Sequence, residues 1–239
     1  MHRIFGFLLL ILSASVLAEG SISQGGIYLG TTRVVFNSNE KAAVFTANNS
    51  SATDTWLIRS WASPYEKTGK EVTEDDAVES FVITPPLYRL DPNSSVQLRV
   101  NRAGGALPED RESVFYINVL AIPPKPKDAK GSVIQFALNT QIKLFYRPQS
   151  LSDERALVEA YGGVNVKLNG NTLMLSNPSP YYLTLTNIIL NDTTTLTPAD
   201  PMIPPFGSIA VESTVKSGTV SYQTINDFGG KTNKVSKAF

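Results

Sequence analysis

The chain has 239 residues, with 21 lysines and arginines against 21 aspartates and glutamates, no cysteine and a single histidine, His2. Balanced charge offers no basic stripe to displace counterions from a nucleic acid, and without cysteine a core must hold the fold rather than disulfides. Because His2 falls within an N-terminal leader, the mature chain lacks imidazole and thiol, which removes Ser-His-Asp and Cys-His catalysis and zinc sites built on those ligands.

Residues 1–18 read as that leader: Arg3 supplies the positive start, residues 4–12 are almost wholly apolar, and Val16 and Ala18 give a small-residue cleavage pattern. The apolar run is shorter than the roughly 20 residues a bilayer-spanning helix needs. The expected mature chain, Glu19–Phe239, contains no later stretch long and apolar enough to span. Paired carboxylates of the glycosidase kind remain chemically available. Acids such as Glu74, Asp75 and Asp76, however, sit in a loop pattern with nothing marking a pair. No enzyme, metal or cofactor is expected.

Runs rich in β-formers follow at 33–36, 42–47, 55–61, 80–83, 95–100, 113–122, 172–175, 182–189, 209–215 and 219–225. Between them stand Asn49-Ser50-Ser51, Asp91-Pro92-Asn93, Ala103-Gly104-Gly105 and Asn169-Gly170-Asn171. Turn signals about every 8–12 residues predict an all-β sandwich architecture. Asn48, Asn49, Asn93 and Asn191 each open an Asn-x-Ser/Thr triplet and are read as turns. The one helix-like pattern, 152–161, is short enough to start a strand instead. A boundary falls at Arg147-Pro148-Gln149-Ser150, because Pro148 fixes the backbone and ends a strand. The expected division is a leader at 1–18, one domain at 19–148 and a second at 149–239, each near the size of an immunoglobulin-like sandwich.

One run is too long for such a sandwich. Residues 132–147 alternate without glycine or proline: Ile134, Phe136, Leu138, Thr140, Ile142 and Leu144 on one face, Gln135, Ala137, Asn139, Gln141 and Lys143 on the other. At about 3.3 Å per residue the strand would extend roughly 50 Å, against a usual 17–20 Å or so. Part of it should lie at an edge or in a cleft. Protective charge and proline appear only upstream, in Pro123-Pro124-Lys125-Pro126-Lys127. An edge left usable suggests pairing with another chain. Alternation alone leaves Ile134, Phe136 and Leu138 equally open to being core residues.

Seven segments in order carry a family resemblance: Thr32-Arg33-Val34-Val35-Phe36, Trp56-Leu57-Ile58-Arg59-Ser60-Trp61, residues 81–90 (Phe-Val-Ile-Thr-Pro-Pro-Leu-Tyr-Arg-Leu), Leu107-Pro108-Glu109-Asp110-Arg111-Glu112-Ser113, residues 142–148 (Ile-Lys-Leu-Phe-Tyr-Arg-Pro), Asn177-Pro178-Ser179-Pro180-Tyr181-Tyr182 and Ile225-Asn226-Asp227-Phe228-Gly229-Gly230. The chain resembles a PapD-like periplasmic pilus chaperone over nearly the whole mature length. The resemblance implies two immunoglobulin-like β-sandwich domains around an interdomain cleft. It also implies a periplasmic, non-enzymatic protein that binds, folds and caps pilus subunits and delivers them to an outer-membrane usher.

By the same resemblance, Arg33 and Lys143 match the paired cations that anchor a subunit's C-terminal carboxylate. Ile134, Phe136 and Leu138 match the residues donated to a subunit lacking its own last strand. Glu112, Arg147 and Asp227 match the interdomain ion pairs that set the angle between domains. The short loop 123–131, without bracketing cysteines, resembles the branch associated with rod-like pili, whereas the residues before Arg33 fit neither branch. Whether the free protein caps its exposed strand by dimerising is left open. The alternative is an exported two-module binding or structural protein, such as a pilus component or adhesin.

Overall fold

A computed structural model describes residues 25–65, 73–125 and 134–239, so the leader expected at 1–18 lies outside the described residues. Among the described residues the first domain has nine strands: β1 (Ile27–Leu29), β2 (Arg33–Asn37), β3 (Ala42–Asn49), β4 (Trp56–Pro64), β5 (Phe81–Thr84), β6 (Leu87–Leu90), β7 (Ser95–Arg102), β8 (Ser113–Ile122) and β9 (Leu138–Arg147). They form two sheets, ordered β1-β3-β7-β5 and β2-β9-β8-β4-β6. Alternate residues of each strand face inward, as Ala43, Phe45 and Ala47 do on β3 and Ile117, Val119 and Ala121 on β8. Phe36, Ile58, Leu98, Ile117 and Leu144 meet in the core. The segment before Arg33, which fitted neither branch of the family, contains β1, which pairs antiparallel with the end of β3.

Strand β9 is shorter than the run 132–147 suggested. It starts at Leu138 because its neighbour β8 ends at Ile122, where the ladder closes on Ala121 opposite Leu138. Pro123 and Pro124 come next and have no N–H with which to extend it. Residues 134–137 lead into β9 outside any strand, and Ser132 and Val133 fall outside the described residues.

After a single 3-10 turn at Gln149–Leu151, the ambiguous pattern at 152–161 becomes α1 (Glu154–Gly162). Asp153 caps it by accepting the Arg155 N–H at 2.9 Å, and Glu154 complements the positive end of the helix. The second domain continues with β10 (Asn165–Asn169), β11 (Thr172–Ser176), β12 (Leu183–Leu190), β13 (Thr194–Thr195), β14 (Met202–Ile203), β15 (Ser208–Glu212), β16 (Thr219–Thr224) and β17 (Val235–Ala238). Its sheets run β10-β11-β15 and β13-β12-β16-β17, with β14 beside β12. Gly170, at φ +64°, takes the left-handed place in the tight β10–β11 turn. Asn93 and Asn191 are turn residues with φ near +50°, while Asn48 and Asn49 close β3 instead of forming a turn. A separate core gathers Leu173, Leu175, Leu183, Ile203, Val220 and Tyr222.

Candidate functional site

The apolar face of β9 divides into two parts. Ile142 and Leu144 are buried in the first core, whereas Ile134, Phe136 and Leu138 are 79%, 81% and 65% exposed. The division follows the neighbours. Parallel pairing with β2 covers β9 only from Lys143 to Arg147. From Leu138 to Ile142, β9 has β8 on one side and, among the described residues, no strand on the other. An unpaired backbone edge thus lies beside three exposed apolar side chains.

The register also places the two cations. Arg33 stands opposite Lys143 on adjacent strands, and Lys143 stands opposite Tyr116 on β8. Residues paired in this way project from one face of a sheet whose strands are about 5 Å apart. The row Arg33, Lys143, Tyr116 therefore lies on the outer face, away from Leu144 and Ile117. Arg33 is buried: its Nη1 donates to the Ile225 carbonyl of the second domain at 3.0 Å, and its guanidinium lies 5.6 Å from the Phe145 ring centroid. Burial pushes its pKa down, opposed by the charge of Asp227. Its buried Nε has no hydrogen-bond partner among the described residues, an unmet donor of the kind an anion would satisfy. Lys143 is half-buried, with Nζ 5.7 Å from the centre of the Tyr65 ring.

Arg147 closes β9 and joins the domains. Its Nε donates to Glu112 Oε1 at 2.7 Å, while Nη1 and Nη2 grip Asp227 at 2.6 and 3.0 Å. The second Glu112 oxygen accepts the Tyr182 N–H at 2.8 Å, and Tyr161 donates its hydroxyl to Asp227 Oδ1 at 3.3 Å. Backbone joins in, the Glu112 N–H donating to the Pro180 carbonyl at 2.9 Å. Burial pushes the Glu112 carboxyl up, partly offset by Arg147. Burial alone would lower the Arg147 pKa, but its bonds to Asp227 and the charge of Glu112 outweigh that and raise it. Of the three residues predicted from sequence, Arg147 bonds both Glu112 and Asp227, and two tyrosines that the prediction lacked complete the cluster.

Tyr65 and Asp200 were also missed. The Tyr65 hydroxyl donates to Asp200 Oδ2 at 2.9 Å across the cleft, and its ring packs on Tyr116 with centroids 5.0 Å apart. Alternation along β8 could have placed Tyr116 on the outer face beside Asn118. Nothing in the sequence links Tyr65 to a residue 135 positions away.

Residues 26–152 match the family described as pili and flagellar-assembly chaperone, PapD N-terminal domain, and residues 159–236 match the pili assembly chaperone PapD, C-terminal domain. The chain is 35% identical to the probable fimbrial chaperone LpfB of Escherichia coli O157:H7 over 241 aligned positions, covering 99% of each. Among solved structures, the periplasmic chaperone SfaE is 35% identical with a TM-score of 0.71, over 88% of this chain and 98% of that one. A complex of the Salmonella enterica SafA pilin with the SafB chaperone gives 25% identity and a TM-score of 0.76, over 90% of this chain and 97% of that one. These relatives are named as chaperones, and the features above lie within the two matched regions. The chain therefore belongs to the PapD-like family of pilus and fimbrial assembly chaperones.

Proposed function

We propose that the protein captures pilus subunits in the periplasm by lending them residues 134–138 while Arg33 and Lys143 hold the subunit's terminal carboxylate. The observation that carries this is the exposed trio Ile134, Phe136 and Leu138, on the segment that leads into and opens the strand bearing Lys143, beside an edge that no other strand among the described residues pairs. A subunit lacking its final strand exposes a hydrophobic groove and unpaired backbone groups. The β9 edge supplies main-chain hydrogen bonds, and its alternate side chains fill the groove. Anchoring the chain end fixes register, since a slip of one residue would present Ala137 and Asn139 instead. With its carboxylate at Lys143 and its chain extending back toward Ile134, the subunit strand runs in the same direction as β9.

Arg33 contributes a planar fork with an unmet donor, and Lys143 a compact charge. Glu112, Arg147 and Asp227 hold the two domains at the angle that forms the cleft. The capped subunit is delivered to an outer-membrane usher, where the next subunit's extension replaces the lent strand. No cofactor takes part. Arg33→Ala and Lys143→Ala should each leave folding intact and abolish co-purification of subunits from periplasm. Normal co-purification by both variants would refute the anchor.

A further inference from the structure

Tyr65 follows the end of β4 and lies with its ring beside the lysine, Nζ to ring centroid 5.7 Å. Asp200 belongs to the other domain, two residues before β14. Its carboxylate is held at both oxygens: Oδ1 accepts the Met202 N–H at 2.9 Å, and Oδ2 accepts the Tyr65 hydroxyl at 2.9 Å. The turn itself is braced by pairing of Met202 and Ile203 with Thr184 and Leu183 of β12. Burial, reinforced by Asp200, pushes the Tyr65 phenol well above its usual range, so it remains a donor throughout the physiological range. The protein thus reaches across its own cleft with a fixed carboxylate, bonded to the very ring that lies beside the lysine.

We propose that Tyr65 and Asp200 form a clasp across the cleft, an internal carboxylate beside the lysine anchor that an incoming chain end must open, so that Asp200 sets the affinity and selectivity of capture. The proposal rests on the carboxylate-anchor reading. A terminal carboxylate gains the attraction of Lys143 only against the repulsion of Asp200 and the loss of the Tyr65 hydrogen bond. A chain end carrying an acidic side chain beside its carboxylate meets that repulsion twice and is disfavoured. Removal of one like charge in a partly desolvated cleft should change affinity by about three- to tenfold.

The probe is a short synthetic peptide of alternating valine and threonine with a free C-terminal carboxylate, compared with its C-terminal amide. Asp200→Asn keeps the shape and removes the charge; Tyr65→Phe keeps the ring beside Lys143 and removes the hydroxyl. Asp200→Asn should bind the free acid about three- to tenfold tighter than the unaltered protein with affinity for the amide changed far less, whereas Tyr65→Phe, which opens the clasp without removing charge, should tighten acid and amide alike. The clasp is overturned if the acid binds no tighter to either variant, or if Asp200→Asn shifts acid and amide together. Lys143→Ala tests the underlying reading separately. It should abolish the preference for acid over amide, and persistence of that preference removes the anchor whatever the clasp variants do.

Discussion

Phe136 and Leu144 occupy the same face of one continuous segment, yet their substitution should have opposite consequences. Phe136 is 81% exposed and Leu144 fully buried. Phe136→Asp removes no buried contact in the free protein, so its unfolding free energy should move by no more than about 0.5 kcal/mol. If Phe136 is lent to a subunit as proposed, the same change forfeits the burial of a phenylalanine, about 1.5–3 kcal/mol, and forces a carboxylate into an apolar groove besides. Subunit affinity should fall by about 10- to 150-fold or more. Leu144→Ala, in contrast, should lower stability by about 2–5 kcal/mol through loss of transfer energy and the cavity left behind, with little effect on capture per folded molecule. Urea unfolding of both variants, set beside titration with a purified pilus subunit, measures the two effects independently. A Phe136→Asp protein destabilised by more than about 2 kcal/mol would show that the side chain belongs to the core, and unchanged affinity would show that it is not lent.

Arg147→Met should destabilise the protein by about 3–5 kcal/mol in denaturant unfolding, because Glu112 is left charged and buried beside Asp227. Burial already holds the Glu112 pKa high and the charge of Arg147 is the main influence opposing it, so the deficit should be largest near neutral pH and shrink as pH falls through the raised Glu112 pKa. A deficit independent of pH would place the loss elsewhere. Tyr222, fully buried, has its phenol pushed up to about 12 by burial. Its folded pKa exceeds the unfolded value of about 10, so its contribution is complete below that pH and is lost as pH rises toward 12, by about 2–3 kcal/mol. Tyr222→Phe should flatten this alkaline decline while costing stability at neutral pH, where the Val164 N–H loses its acceptor; an unaltered alkaline slope would refute the assignment. Asp153→Ala should cost about 0.5–2 kcal/mol by uncapping α1, measured by thermal unfolding, and no loss would show the cap to be redundant.

Much of the fold was legible because alternation along strands is a local signal. The runs at 113–122 and 95–100 became β8 and β7 with bounds changed little or not at all, and the face assignment of β9 placed Ile142, Leu144 and Lys143 correctly. Alternation could not show where a face stops being covered. That depends on β2 reaching only as far as Lys143, a matter of which strands become neighbours. The same limit hid the short β13 and β14, whose two-residue pairings have no period to detect. The ambiguity at 152–161 was settled by the Asp153 cap and by burial of Ala160 and Tyr161 against the second core. Arg33, Lys143 and the Arg147 network were reached through resemblance; spacing alone would have left them as surface charges. Tyr65 and Asp200 had neither kind of signal, since their meeting is a property of how two domains face each other.

On the proposed reading, Lys143 and the exposed trio sit on one unbroken stretch of chain, which would act as a ruler. Paired in extended form with a subunit, Leu138 would stand about 17 Å from the lysine and Ile134 about 30 Å, from the rise of an extended backbone. A captured subunit would then have to match this gauge, with a constant number of residues between its last carboxylate and the pockets it needs filled. Subunits could differ in pocket shape but not in that count, so exchanging residues 134–138 between relatives should transfer preference without altering reach.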